Sequence, residues 1–111
     1  MPSHAASAAP RPGWRSSLAA GAVALAAYLA LAPQVCGDKD AAEFTLVLGA
    51  GGVAHPSGYP LYTLLGHPVV KLLHAFGATW AYAANAWSAL GGAVAVALLH
   101  RLARRLTWAP G

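Results

Sequence analysis

The chain has 111 residues, 58% of them hydrophobic and only 9% charged, with a net charge of +4. At that length it is one small domain or a piece of a larger one. A soluble globule would carry about a quarter of its residues as charges, so composition excludes that class. The basic balance is not a nucleic-acid signal either, because the arginines flank apolar segments.

Residues 1–15 are rich in Ala, Ser and Pro without periodicity, which predicts a disordered cytoplasmic tail. Ser16 to Gly37 contains no Asp, Glu, Lys or Arg, and its core from Leu18 to Leu31 is mostly Ala, Leu and Val. That run reaches the roughly 20 residues needed to cross a bilayer and predicts a first transmembrane helix over 16–35. Gly21 would let a second helix approach closely. A secretory signal peptide is the rival reading: Arg11 and Arg15 precede the run, and Ala30-Leu31-Ala32 resembles a cleavage site. The run is long for such a segment, which favours an uncleaved span. Cys36 is the sole cysteine and forms no internal disulfide. Val35 before it makes a poor lipoprotein box.

Residues 36–79 form the predicted loop between spans. Asp40 to Leu48 reads as a short helix, stopped by Gly49-Ala50-Gly51-Gly52. His55-Pro56-Ser57-Gly58-Tyr59-Pro60-Leu61-Tyr62 is a rigid turn: His55 and Tyr59 precede prolines and should be extended, and Gly58 bends. Pro60 opens the next helix, and Pro68 is expected to interrupt and kink it. Beyond the kink, Val69, Val70, Leu72, Leu73 and Phe76 are expected on one face, with Lys71 and His74 opposite. Such a segment suits the membrane interface.

Leu72 to His100 again lacks any charged residue, and a second transmembrane helix is predicted over 80–100. Asn85 and Ser88 lie one turn apart, and Ser88 with Gly92 is a small-xxx-small pair. A lipid-facing Asn is costly, so this face should pack on protein. Two spans alone offer little protein, which points to further transmembrane helices from a parent chain or an oligomer. Residues 101–111 are a basic end carrying Arg101, Arg104 and Arg105.

All three acids, Asp38, Asp40 and Glu43, fall in the loop, while the arginines lie outside both spans. The positive-inside rule then puts both termini in the cytoplasm and the loop outside the cell or inner membrane. Trp14, Trp80 and Trp108 near the span ends fit interfacial anchors. The fold class expected is an all-α, multi-pass membrane protein: two transmembrane helices joined by an extracytoplasmic loop with short and interfacial helices. Membrane lipids are its surroundings, and no nucleic acid is a partner.

Asp40 and Glu43 are the first chemical candidates. Three residues apart on a helix, they share a face and could serve as a base or hold a cation. The same spacing is that of a capping box, and one carboxylate can fill both roles. Asp38-Lys39-Asp40 is an acid-x-acid pair to which a divalent cation could bind, with no evident third ligand. His55, His67, His74 and His100 match no compact metal-binding pattern, so no metal site is assigned. His55, fixed in the turn, could donate to a phosphate or a sugar hydroxyl, or serve only the turn itself. The arginine end reads as a topology signal in contact with anionic lipid.

The combination of Asp-x-x-Glu-Phe at Asp40 to Phe44, a short apolar helix, and Gly-Val-Ala-His-Pro-x-Gly-Tyr-Pro-Leu-Tyr ending at Tyr62 resembles a known family. It is similar to the membrane proteins grouped as domain of unknown function 2723, related to transmembrane protein 260 and to protein O-mannosyltransferases. The likeness covers roughly Val35 to Leu106. It implies a multispanning GT-C glycosyltransferase architecture, of which this chain would be the N-terminal portion. It further implies a polyprenyl-phosphate-linked sugar as donor, reaction on the extracytoplasmic side, and an acid of the first outer loop at the reaction centre. Carried over, Asp40 is the catalytic base and Glu43 its support, while His55 and Tyr59 shape the pocket or touch the donor phosphate. The family's usual Asp-Ser-Gly-Glu is here Asp40-Ala41-Ala42-Glu43, and its double proline is Pro56-Ser57. Members carry many more spans, so the expectation is a fragment or truncated member, inactive alone. A small two-span assembly protein without enzymatic activity is the alternative, and a transporter fragment with acids near a substrate path is a third.

Overall fold

The computed structural model describes residues 13–35, 37, 40–54 and 59–107. The tail up to residue 12, Cys36, Asp38, Lys39, the His55 to Gly58 part of the turn, and Trp108 lie outside the described residues. Within them the fold is four α-helices and no strand: α1 (Trp14–Leu31), α2 (Asp40–Ala50), α3 (Pro60–Ala75) and α4 (Trp80–Thr107).

The longest helix is the spine. α1 packs on α4 alone, while α2 and α3 pack on each other and on the first half of α4. α1 and α4 are each long and apolar enough to cross a membrane. Their apolar windows are only 11% and 28% buried within the chain, unlike the core helices of a soluble protein.

α1 is built from Ala and Leu, the strongest helix formers. It stops at Leu31 because Ala32 precedes Pro33 and takes the extended backbone (φ −63°, ψ 130°) that proline imposes on its predecessor. It runs antiparallel to α4, and Gly21 admits close contact with Ala93 and Ala97. At one end Ser17 Oγ and His100 Nδ1 are 2.9 Å apart, and Arg101 lies 3.9 Å over the Trp14 ring. At the other end Tyr82 donates to the Leu29 carbonyl and Asn85 Nδ2 to the Pro33 carbonyl. Asn85 therefore finds its partner inside the chain, on a carbonyl freed where α1 ends. Ser88 does likewise, at 2.7 Å from the Tyr62 hydroxyl.

α2 ends in a glycine cap. Gly51 adopts φ +75°, and the N–H groups of Gly51 and Gly52 both donate to Val47 O. The Leu48 carbonyl, left over by this cap, accepts from His67 Nδ1 at 2.6 Å. A carbonyl only accepts, so Nδ1 of His67 carries its proton.

α3 departs from expectation at two points. Tyr59, at its N-cap, is left-handed (φ 45°, ψ 55°) rather than extended, and its carbonyl accepts from both the N–H and the hydroxyl of Thr63. Pro68 sits inside a helix continuous from Pro60 to Ala75 and does not interrupt it. Packing of its buried face, Thr63, Gly66 and Val70, offsets the hydrogen bond the proline omits. Val70 is fully buried, whereas Leu72 and Phe76 are exposed at 58% and 83%. His74 points back to the turn, where its Nδ1 donates to Ala78 O at 2.8 Å and its ring stacks on Trp80.

α4 begins at an N-cap made by Thr79, whose hydroxyl accepts from the Tyr82 N–H and donates to Gln34 O. The core is small: Leu48, Val70, Ala83 and Ala84, ringed by Tyr62, Leu73, Ala78 and Trp87. It lies where α2, α3 and α4 meet.

Candidate functional site

The two described acids of the loop open α2. Asp40 is its first helical residue and is exposed, and Glu43 is half-buried one turn later. Both carboxylates thus sit in the first turn, at the positive end of the helix dipole.

Phe44 follows Glu43 and stands one turn from Asp40, at the separation where helix side chains are neighbours. Its ring meets Tyr59 edge-on at 5.1 Å between centroids and Tyr62 at 5.4 Å. Tyr62 continues to Trp87 at 6.0 Å. The left-handed backbone at Tyr59 is uncommon for a residue with a side chain, and here it holds the ring against Phe44. Of the sequence-predicted site residues, Asp40, Glu43 and Tyr59 are brought into one neighbourhood, and His55 lies outside the described residues. Phe44, Tyr62 and Trp87, which join that neighbourhood to the spine, escaped the sequence reading. Phe44 and Tyr62 stood within the quoted motifs, but nothing in their local spacing showed that they meet.

Among the described residues no three His, Cys, Asp or Glu side chains gather to hold a metal ion. Asp38, half of the suggested cation pair, lies outside them. His67 and His74 are occupied with backbone carbonyls, and His100 with Ser17. Two apolar grooves flank the acid-bearing turn. One, of about 450 Å³, is lined by Ala42, Thr45, Leu46, Gly49, Ala50 and Trp80. The other, also about 450 Å³, lies on the Tyr59 side between α3 and α4.

The family described as Protein O-mannosyl-transferase TMEM260 N-terminal domain matches residues 40–109. The mouse (Mus musculus) Protein O-mannosyl-transferase TMEM260 is 39% identical over 99 residues, covering 85% of this chain and 14% of that protein. This chain therefore spans about one seventh of the length of that curated relative. No solved structure matches. The match begins at the first acid of α2, includes the aromatic cluster and runs to the end of α4. Two apolar helices and a membrane-transferase relative together indicate membrane association. By its sequence this chain belongs to the TMEM260 N-terminal domain family of protein O-mannosyl-transferases.

Proposed function

We propose that this chain is the N-terminal part of a multispanning, GT-C-type membrane glycosyltransferase. It moves mannose from a polyprenyl-phosphate donor to a protein hydroxyl on the extracytoplasmic side. The observation that carries this reading is family membership, with the match opening at Asp40. In such a transfer the acceptor oxygen bonds to the anomeric carbon. The bond from that carbon to the donor phosphate breaks, its electron pair leaving on the phosphate, and the hydroxyl proton passes to a base.

Asp40, exposed at the start of α2, is that base, and Glu43 one turn on supports it. Tyr59 shapes the wall beside them, and His55 contacts the donor phosphate. The arginines beyond the two apolar helices support cytoplasmic termini, with α2 and α3 on the extracytoplasmic side. Further transmembrane helices complete the donor and acceptor sites, and without them the 111 residues do not turn over.

The test is Asp40→Asn in membranes containing the protein with its native partners, following labelled mannose from polyprenyl phosphate mannose into protein. A general base contributes about 10²–10⁴-fold, so turnover should fall at least about 100-fold with membrane insertion unchanged. Transfer at the wild-type rate would remove Asp40 from the role of base.

A further inference from the structure

We propose that Phe44 is a positioning residue: its ring, in contact with Tyr59 and Tyr62, fixes the first turn of α2 and with it the carboxylates of Asp40 and Glu43. The fixed turn is a feature of the fold. Its use in proton transfer rests on the glycosyltransferase reading.

The two ends of α2 are held differently. The C-terminal half is tied down by the fully buried Leu48, by the His67 bond to the Leu48 carbonyl and by the glycine cap. At the other end Asp40, Ala41 and Ala42 are all exposed. Leu48 lies about 12 Å along the helix from Asp40, a long lever for placing a carboxylate. Phe44 lies about 6 Å from it, on the same helix face, and directly follows Glu43. Thr45, buried beside it, spends its hydroxyl within α2, on the Ala41 carbonyl. The Phe44 ring thus supplies a tie to other helices close to the acids.

That tie is made of rings that are themselves braced. Phe44 meets Tyr59 edge-on at 5.1 Å and Tyr62 at 5.4 Å, and edge-on packing has a preferred geometry that an aliphatic side chain lacks. Tyr62 is anchored in turn to α4, with its ring 6.0 Å from Trp87 and its hydroxyl 2.7 Å from Ser88 Oγ. Tyr59 reaches Phe44 from a left-handed backbone (φ 45°, ψ 55°), a strained conformation for a bulky residue. Such strain persists where the surroundings over-determine it, and it gathers at functional sites. Phe44 belongs neither to the core of Leu48, Val70, Ala83 and Ala84 nor to the side chains ringing it. Its ring is spent on the acid-bearing turn instead.

The experiment compares Phe44→Leu, which keeps apolar bulk and removes the ring, with Phe44→Tyr, which keeps the ring. Both are measured in membranes with the native partners present, following labelled mannose from polyprenyl phosphate mannose into protein. Hydrogen exchange of the amides at 44–46 reports on the turn, because their helical acceptors are the carbonyls of Asp40, Ala41 and Ala42. In Phe44→Leu these amides should exchange faster, and kcat should fall about 10- to 100-fold with the donor KM little changed. Phe44→Tyr should keep both near wild type. Added to Asp40→Asn, Phe44→Leu should cost no further activity, since it acts through the acids. Should Phe44→Leu fail to insert, Tyr59→Gly carries the exchange test: glycine takes the left-handed backbone freely, and loss of the ring should speed the same amides. Wild-type kcat in Phe44→Leu, an additive loss in the double variant, or unchanged exchange in whichever variant inserts overturns the proposal. Transfer abolished by Asp40→Asn yet untouched by Phe44→Leu refutes the role of Phe44 alone. Faster exchange in the variant of a protein that transfers no mannose even as wild type keeps the fixed turn and refutes the glycosyltransferase reading.

Discussion

Gly66 has no room for a methyl group. One placed there would come within 2.5 Å of Trp87 Nε1 on α4 and 2.6 Å of Leu48 Cδ2 on α2. Overpacking of this kind costs typically about 1–3 kcal/mol. Gly66→Ala should accordingly lower the thermal stability of the detergent-solubilised protein by that amount; an unchanged melting temperature would show that α3 can slide on α4 freely. The sequence made Asp40, Glu43 and Tyr59 visible because a motif advertises them. Gly66, His67 and Trp87 carry no local mark. His67 meets Leu48 and Gly66 meets Trp87 only once α2, α3 and α4 are assembled, so no period or cap could announce them. Tyr59 was visible as a residue and misread as backbone, since the pre-proline preference for extended geometry yields here to the hydrogen bonds Thr63 makes to its carbonyl.

Elements were more legible than residues where chemistry stops the chain, and less so where packing continues it. Pro33 ends α1 and Gly51 ends α2, both by rules that act within a few residues. Pro68 shows the opposite case: a local breaker overridden by tertiary contacts. Its side chain is exposed, and the N–H it lacks leaves the Leu64 carbonyl without its helical partner. Pro68→Ala restores that bond, and a gain of about 1–3 kcal/mol is expected. Slower hydrogen exchange of the α3 amides would register it, and faster exchange would mean that the proline is part of the helix's preferred packing. Along the unbroken helix Val70 turns inward with Thr63 and Gly66, while Leu72 and Phe76 face outward.

At the scale of the whole molecule the two apolar helices were plain from charge-free length alone. Their partnership was not, because the bonds joining them run between residues up to 83 positions apart in the chain. The orientation proposed for them is open to a direct check. Cys36 is the sole cysteine, so a membrane-impermeant thiol reagent reports on one position. Labelling of intact cells without permeabilisation is expected, and labelling only after permeabilisation would invert the topology.

α1 touches neither α2 nor α3 among the described residues; every helix contact it makes is with α4. Mechanically it is a mooring. Drift or tilt of α1 in the bilayer reaches the acid-bearing turn through the spine or along residues 32–39, which join the end of α1 to Asp40. The three remaining helices form a cartridge whose internal joints are all its own, and the family match from residue 40 onward coincides with that cartridge and leaves the mooring out.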